Sequence, residues 1–140
     1  MDMTIDFPGG MRVDAHVGPH VIHTDQPPDA SAPTPFAHFL ASIGTCAGVY
    51  VLGFCRQRGI DPAGIRVTQR VHGNGRGGVG AVDVAIHLPA DFPEKYRAAV
   101  VRAADQCAVK EAFRDPPEIR VTALPAPPAR PAAAGAGTAA

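Results

Sequence analysis

Apolar and polar positions alternate in three short pieces at the start of the chain, "MTIDF", "MRVDAHV" and "HVIHT", separated by Gly9-Gly10 and Gly18-Pro19. A period of two sends successive side chains to opposite faces, so these pieces predict three antiparallel strands joined by tight turns. The segment from Asp25 to Pro33, "DQPPDASAP", replaces the alternation with proline and small polar residues and predicts a loop. After it comes "TPFAHFLASIGTCAGVYVLGFCRQRG", which carries no acidic residue and no Lys or Arg before Arg56. Thr34 is a natural N-cap, Pro35 suits the first helical position, Arg56 and Arg58 favour the C-terminal dipole, and Gly59 is a stop. The pattern predicts a helix over 35–58, about 24 residues and about 36 Å long.

Alternation returns in "IRVTQRVHG" and "GAVDVAIHLP", which predict a second hairpin around the connection "NGRGG". Asp91 with Glu94 forms a capping-box pattern, and the run that follows places Tyr96, Val100, Ala103, Ala104 and Cys107 on one face of a second helix. That helix is expected to continue to Asp115, where Pro116 and Pro117 end it, and "EIRVTAL" then predicts a final strand. Beyond Leu124 the chain reads "PAPPARPAAAGAGTAA", which has no pattern able to bury a face. The expected organisation is one domain over 1–124 and a disordered Pro/Ala-rich tail over 125–140.

Hairpins segregated from helices indicate an α+β domain with antiparallel sheet. The long helix is apolar on every side, and one chain of 140 residues has too little sheet to cover it. A homodimer would supply the missing cover. A membrane span is the competing account. It needs about 20 apolar residues, and Pro35 to Cys55 only just reaches that length, with His38, Ser42, Thr45 and three glycines interrupting it. No membrane association is expected.

Composition narrows the function. Thirteen basic and 13 acidic residues leave a net charge of zero, and with 6% aromatic residues and no Trp the chain lacks both the field and the stacking platforms that nucleic acid requires. Three cysteines are too few, and odd in number, for a secreted disulfide scaffold, and "MDMTIDFPGGMR" is not a signal peptide. A cytoplasmic location is expected. No Cys-x-x-Cys or His-Glu-x-x-His spacing occurs, and His16, His20 and His23 lie on predicted strands or turns, where the four-residue step from His16 to His20 does not put both on one helix face, so no metal and no cofactor is expected. "GNGRGGVG" imitates a dinucleotide fingerprint but joins two strands, and no Gly-x-Ser-x-Gly elbow is present.

The cysteines remain. Cys46 and Cys55 lie nine residues apart on one helix, about 13 Å along its axis and on opposite faces, so an intact helix forbids a disulfide between them. Cys46 and Cys107 lie on different helices and are free to meet. Each could equally be a small core hydrophobe. His38, eight residues before Cys46, is too far along the helix to serve its thiol.

The succession of "DQPPDASAPTPFAHFLASIGTCAGVYVLGFCRQRGI", two strands, "DFPEKYRAAVVRAADQCAVKEAF" and "PPEIRV" closely resembles the OsmC/Ohr superfamily, named for osmotically inducible and organic-hydroperoxide-resistance proteins. Its most specific parts are a proline before an apolar Cys-bearing helix and a Cys-x-Val about sixty residues on. The resemblance implies an intertwined homodimer, with antiparallel sheet from both chains wrapped around two long central helices. It also implies a thiol-dependent hydroperoxide reductase, in which Cys46 is the peroxidatic residue, Cys107 resolves its sulfenic acid as a disulfide, and an external thiol or dithiol restores the pair. The substrate would be an organic hydroperoxide or hydrogen peroxide.

The chain departs from that pattern at three places. Phe36 stands where family peroxidases carry a Glu, and Met11 follows the Gly-Gly turn where they carry an Arg, with Arg12 one residue later. Cys107-Ala108-Val109 replaces Cys-Pro-Val, which is expected to let the second helix run on. A thiol in the middle of a helix gains nothing from that helix's own N-terminus, so a positive group is expected to reach Cys46. Arg12 and His16 are the candidates, with Ser42 and Tyr50, four residues to either side of Cys46, as hydroxyl donors. The alternative function is a non-catalytic dimer that binds a small apolar ligand at the subunit interface.

Overall fold

A computed structural model describes residues 1–125 of the chain. The N-terminal alternation folds as β1 (Thr4–Gly9), β2 (Arg12–Val17) and β3 (His20–Thr24), an antiparallel sheet in the order β1-β2-β3. Asp14 is paired with His23 across β2 and β3, and the β1–β2 register slips between Asp6 and Gly9. The loop after β3 is organised by Asp25, which is 2% exposed. Its carboxylate accepts from Gln26 N at 2.7 Å, Ser31 N at 2.9 Å and Ser31 Oγ at 2.6 Å. The hydrogen bonds from Ser31, then that from Gln26, hold this carboxyl below its ordinary pKa.

That loop delivers Thr34 to the start of α1 (Pro35–Gln57), where its hydroxyl accepts from Ala37 N at 3.1 Å. The far end closes as a Schellman motif. Gly59 has φ +63°, its N–H bonds Arg56 O at 3.3 Å and Ile60 N–H bonds Cys55 O at 3.0 Å. Next come β4 (Arg66–Gly73) and β5 (Val79–His87), paired with each other as a separate antiparallel sheet. β4 comes close to α1 because residue 44 is glycine: a Cβ there would stand 2.9 Å from Gln69 Oε1, while Gln69 Nε2 donates to Leu40 O at 3.0 Å.

The core joins Ala47, Val51, Phe54 and Cys55 of α1 to Phe92, Val100 and Ala104, with Tyr96 edge-on to Phe54 at 5.8 Å between ring centroids. By length and composition α1 could cross a membrane. In this fold it is the central element, packed on the second helix, the third and β4.

Three expectations change. The helix after Pro93 begins as a 3-10 turn (Glu94–Tyr96) with no side-chain cap, so the Asp91–Glu94 box does not form. It then breaks, giving α2 (Arg97–Asp105) and α3 (Ala108–Arg114). Cys107 takes φ −55° and ψ 123° as the residue before α3, which turns its side chain into the structure at 2% exposure. The break falls at Gln106 and Cys107, and Ala108 is already helical as the first residue of α3. Finally, Glu118–Leu124 is not a strand, and Ile119 and Val121 are 83% and 93% exposed. Alternation alone forms no ladder, and this segment pairs with no sheet edge of its own chain. Of the tail, 126–140 lies outside the described residues.

Removing the Thr34 cap with Thr34→Ala should cost about 1 kcal/mol of stability, readable in urea unfolding as a lower midpoint with unchanged slope.

Candidate thiol site

The site lies where α1 passes the break between α2 and α3. Cys46 sits half-buried at mid-α1 and Cys107 is buried just before α3. The Cys107 Sγ lies 3.9 Å from Ile43 O, so the residue before α3 is anchored to the turn of α1 that precedes Cys46. The Cys107 thiol and the backbone N–H groups of Val109 and Ala108 are the neighbours that favour the Cys46 thiolate.

These contacts separate the two thiols electrostatically. Burial pushes Cys46 up, but the Cys107 thiol, then Val109 N–H and Ala108 N–H, more than offset it and leave its pKa below the ordinary 9.0. Cys107 is displaced the other way: burial and its hydrogen bond to Cys46 favour its protonated form, against a smaller opposing effect of the amides of Lys110 and Val109. Cys55 is also raised by burial, with Arg58 opposing. The two thiols are therefore displaced in opposite directions, Cys46 toward its anion and Cys107 toward its protonated form.

The side chains expected to support the thiolate lie elsewhere within the chain. Arg12 Nη2 is 2.6 Å from Asp14 Oδ2 and 3.3 Å from His23 Nδ1, so its charge is spent inside the N-terminal sheet. His16 Nε2 is 2.8 Å from Asp6 Oδ2. Ser42 Oγ donates to Phe39 O at 2.6 Å in its own helix, and Tyr50 is half-buried four residues beyond Cys46. None of the four is among the groups that act on the Cys46 sulfur. His38, set apart from the thiol by its position on the helix, bonds His23 O at 3.0 Å.

The groups that sequence reasoning missed are main-chain. The α1 N-terminus is indeed remote from Cys46, but the amides that open α3 reach it from outside. A backbone donor has no residue-type signature, and the only hint was Ala108, which has an N–H where the family pattern places proline.

Beside the thiols runs a groove of about 660 Å³, walled by α1, β5 and α3 and lined by Cys107 but not by Cys46. Phe36, the residue at the family Glu position, stands on its wall. Among the described residues no group of three or more His, Cys, Asp or Glu could hold a metal ion.

The family described as OsmC-like protein matches residues 28–122. This chain belongs to the OsmC-like family. The match spans α1, the β4–β5 hairpin, both later helices and the extended segment after them, and so includes both thiols of the pair. No curated protein matches this OsmC-like chain. Solved structures do. A candidate osmotic stress induced and detoxification response protein from Psychrobacter arcticus 273-4 is 21% identical, with 79% of this chain and 85% of that one covered at a TM-score of 0.67. An OsmC like protein from Mycoplasma pneumoniae is 16% identical, with 81% and 86% covered at 0.63. The organic hydroperoxide resistance protein OhrB of Bacillus subtilis is 19% identical, with 83% and 93% covered at 0.53. At these identities the likeness establishes the OsmC/Ohr fold.

The thiol ordering has a direct readout. As pH rises, Cys46 should be the first of the three cysteines to react with iodoacetamide, with a midpoint below 9.0, while Cys107 and Cys55 titrate above it. Mass spectrometry of the singly alkylated chain identifies the residue.

Proposed function

We propose that this OsmC-like protein is a thiol-dependent hydroperoxide reductase that cycles through Cys46 and Cys107. The reading is carried by the placement of Cys107 against the turn of α1 that precedes Cys46, with its Sγ 3.9 Å from Ile43 O, and by the opposite displacement of the two thiols, one toward its anion and one toward its protonated form. The Cys46 thiolate attacks the terminal oxygen of ROOH. The O–O bond breaks, the leaving oxygen takes a proton to give ROH, and the sulfur becomes a sulfenic acid. Cys107 then gives up its proton and attacks that sulfur. The S–O bond breaks, water leaves, and the Cys46–Cys107 disulfide forms. An external dithiol returns two electrons and two protons by exchange and is itself oxidised to a disulfide.

The nearness of Cys107 to the turn of α1 that precedes Cys46 suits this order, since a sulfenic acid formed beside a thiol condenses before a second peroxide can overoxidise it. The name of the Bacillus subtilis neighbour, an organic hydroperoxide resistance protein, points the same way. Hydrogen peroxide and organic hydroperoxides both fit the chemistry.

The working unit in this reading is a cytoplasmic homodimer. Only Ala47, Val51, Phe54 and Cys55 of α1 are buried in one chain, although α1 is apolar on all sides. Phe7 at 79%, Val49 at 65% and Ile119 at 83% exposure lie on separate elements and supply the apolar area that a second copy would cover.

Two experiments test it. One equivalent of peroxide should consume two thiols per chain and leave Cys55 free, and Cys46→Ser should slow peroxide reduction at least about a hundredfold. A Cys46→Ser protein as fast as the parent would end the proposal. The second addresses the backbone donors. Ala108→Pro removes one N–H at the first position of α3, where proline is well tolerated and the extended Cys107 already suits it. The melting temperature should hold, while alkylation of Cys46 near pH 7 should slow about threefold for the loss of one hydrogen bond to the thiolate.

A further inference from the structure

We propose that Asp105, the last residue of α2, is a positioning residue for the thiol site: its carboxylate clasps Lys110 and Arg114 across the break and fixes the α3 segment that bears Cys107, Ala108 and Val109 beside α1. The inference rests on the reading of Cys46 as the reactive thiol, and it holds whichever electrophile that thiol meets.

The need for a clasp follows from α3 itself. It has seven residues, too few for a helix to persist on its own hydrogen bonds, and Cys107 makes no side-chain capping bond at its start. Its direction is therefore set by what it is tied to. Cys107 Sγ lies 3.9 Å from Ile43 O at one end, and the Phe113 ring lies 5.3 Å from that of Phe39 at the other. Both ties lead to α1. Two points of attachment define an axis and leave α3 free to swing about it, which would carry the Ala108 and Val109 amides out of place.

Asp105 removes that freedom from the side of α2. Its Oδ1 accepts from Lys110 Nζ, and its Oδ2 is 4.0 Å from Arg114 Nη2, while Arg114 Nη1 also donates to Glu111. Lys110 and Arg114 are four residues apart and share one face of α3, so a single carboxylate holds that face along a full turn. Neither Asp105 nor Lys110 suits its own helix. An acid in the last turn of α2 meets that helix's free carbonyls, and a lysine in the first turn of α3 meets free N–H groups. Each is matched only by the other, across the break. The hydrogen bond and charge of Lys110, with Arg114 adding, hold the Asp105 carboxyl below its ordinary pKa, so the clasp is closed at neutral pH.

A direct charge effect would act in the opposite direction, and this separates the two roles. Removing a negative charge near a thiolate lowers the pKa of Cys46, whereas releasing α3 withdraws its donors and raises it. The reduced full chain, Asp105→Asn and Asp105→Glu are alkylated with iodoacetamide across a pH series, and modification of Cys46 is followed by mass spectrometry. Asp105→Asn should slow Cys46 near pH 7 about threefold and move its midpoint up, the size of effect that an exposed ion-pair network supports. Asp105→Glu should stay within about 1.5-fold of the parent, since it keeps the charge. In about 1 M salt, which screens exposed pairs, the gap between the parent and Asp105→Asn should close. The melting temperature of Asp105→Asn should hold to within about 2 °C, because the lost pairs are offset by relief at the α2 C-terminus. A midpoint that is unchanged or lowered in Asp105→Asn, equal slowing in Asp105→Glu, a gap that persists in high salt, or a large fall in melting temperature would each overturn the assignment. A chain that alkylates as expected but reduces no peroxide would overturn the proposed reaction alone. A peroxide-reducing chain whose Asp105→Asn form alkylates like the parent would overturn this inference alone.

Discussion

The chemistry proposed for this molecule depends on how the first residues of α3 act on the Cys46 sulfur in the middle of α1. A thiol halfway along an apolar helix has no electrostatic support from that helix, and burial raises its pKa. What reverses the sign is the segment between α2 and α3, whose Cys107 thiol and Val109 and Ala108 N–H groups lower the Cys46 pKa against the effect of burial. The break between α2 and α3 is therefore part of the site. A continuous helix would carry the amides of 108 and 109 into its own hydrogen-bond ladder, where they could not donate outward.

This arrangement gives the departures from the family pattern a common meaning. Phe36 stands where the family pattern has a carboxylate, and Arg12 is engaged by Asp14 and His23. With that cation committed to its own sheet, the donors left to Cys46 within the chain are its neighbour's thiol and the backbone. Ala108 contributes one of those donors, which proline could not. The aromatic side chain at 36 in turn stacks on Phe39 at the wall of the groove.

The N-terminal sheet has its own electrostatic logic. Asp14 is 4% exposed, and one of its oxygens is shared by Arg12 and by His23 at 2.7 Å. Burial raises the Asp14 carboxyl, but hydrogen bonds and charge from His23 and Arg12 outweigh this and keep its pKa below the usual value. The other oxygen, Oδ1, is buried without a partner among the described residues. Its exposed strand faces and this unpaired acceptor mark the sheet as a surface unfinished in one chain, consistent with the dimer proposed here.

The elements were largely legible because their causes are local. Period-two alternation located five strands, and Thr34, Pro35 and Gly59 placed the ends of α1 to within a residue or so of where the structure puts them. Cys46 and Cys107 stood out as residue types, and the match to the OsmC-like family rests on that order of elements and thiols. Three things were decided only by packing. The second helix breaks where Cys107 is buried beside α1, Glu118–Leu124 pairs with none of the described strands, and Arg12 faces Asp14 and His23 because β2 and β3 pair in that register. A sequence specifies which groups exist and what local geometry each prefers. Which of them meet, and whether a backbone N–H is spent in a ladder or aimed at a sulfur, follows from contacts between residues some sixty positions apart, and no local pattern encodes those.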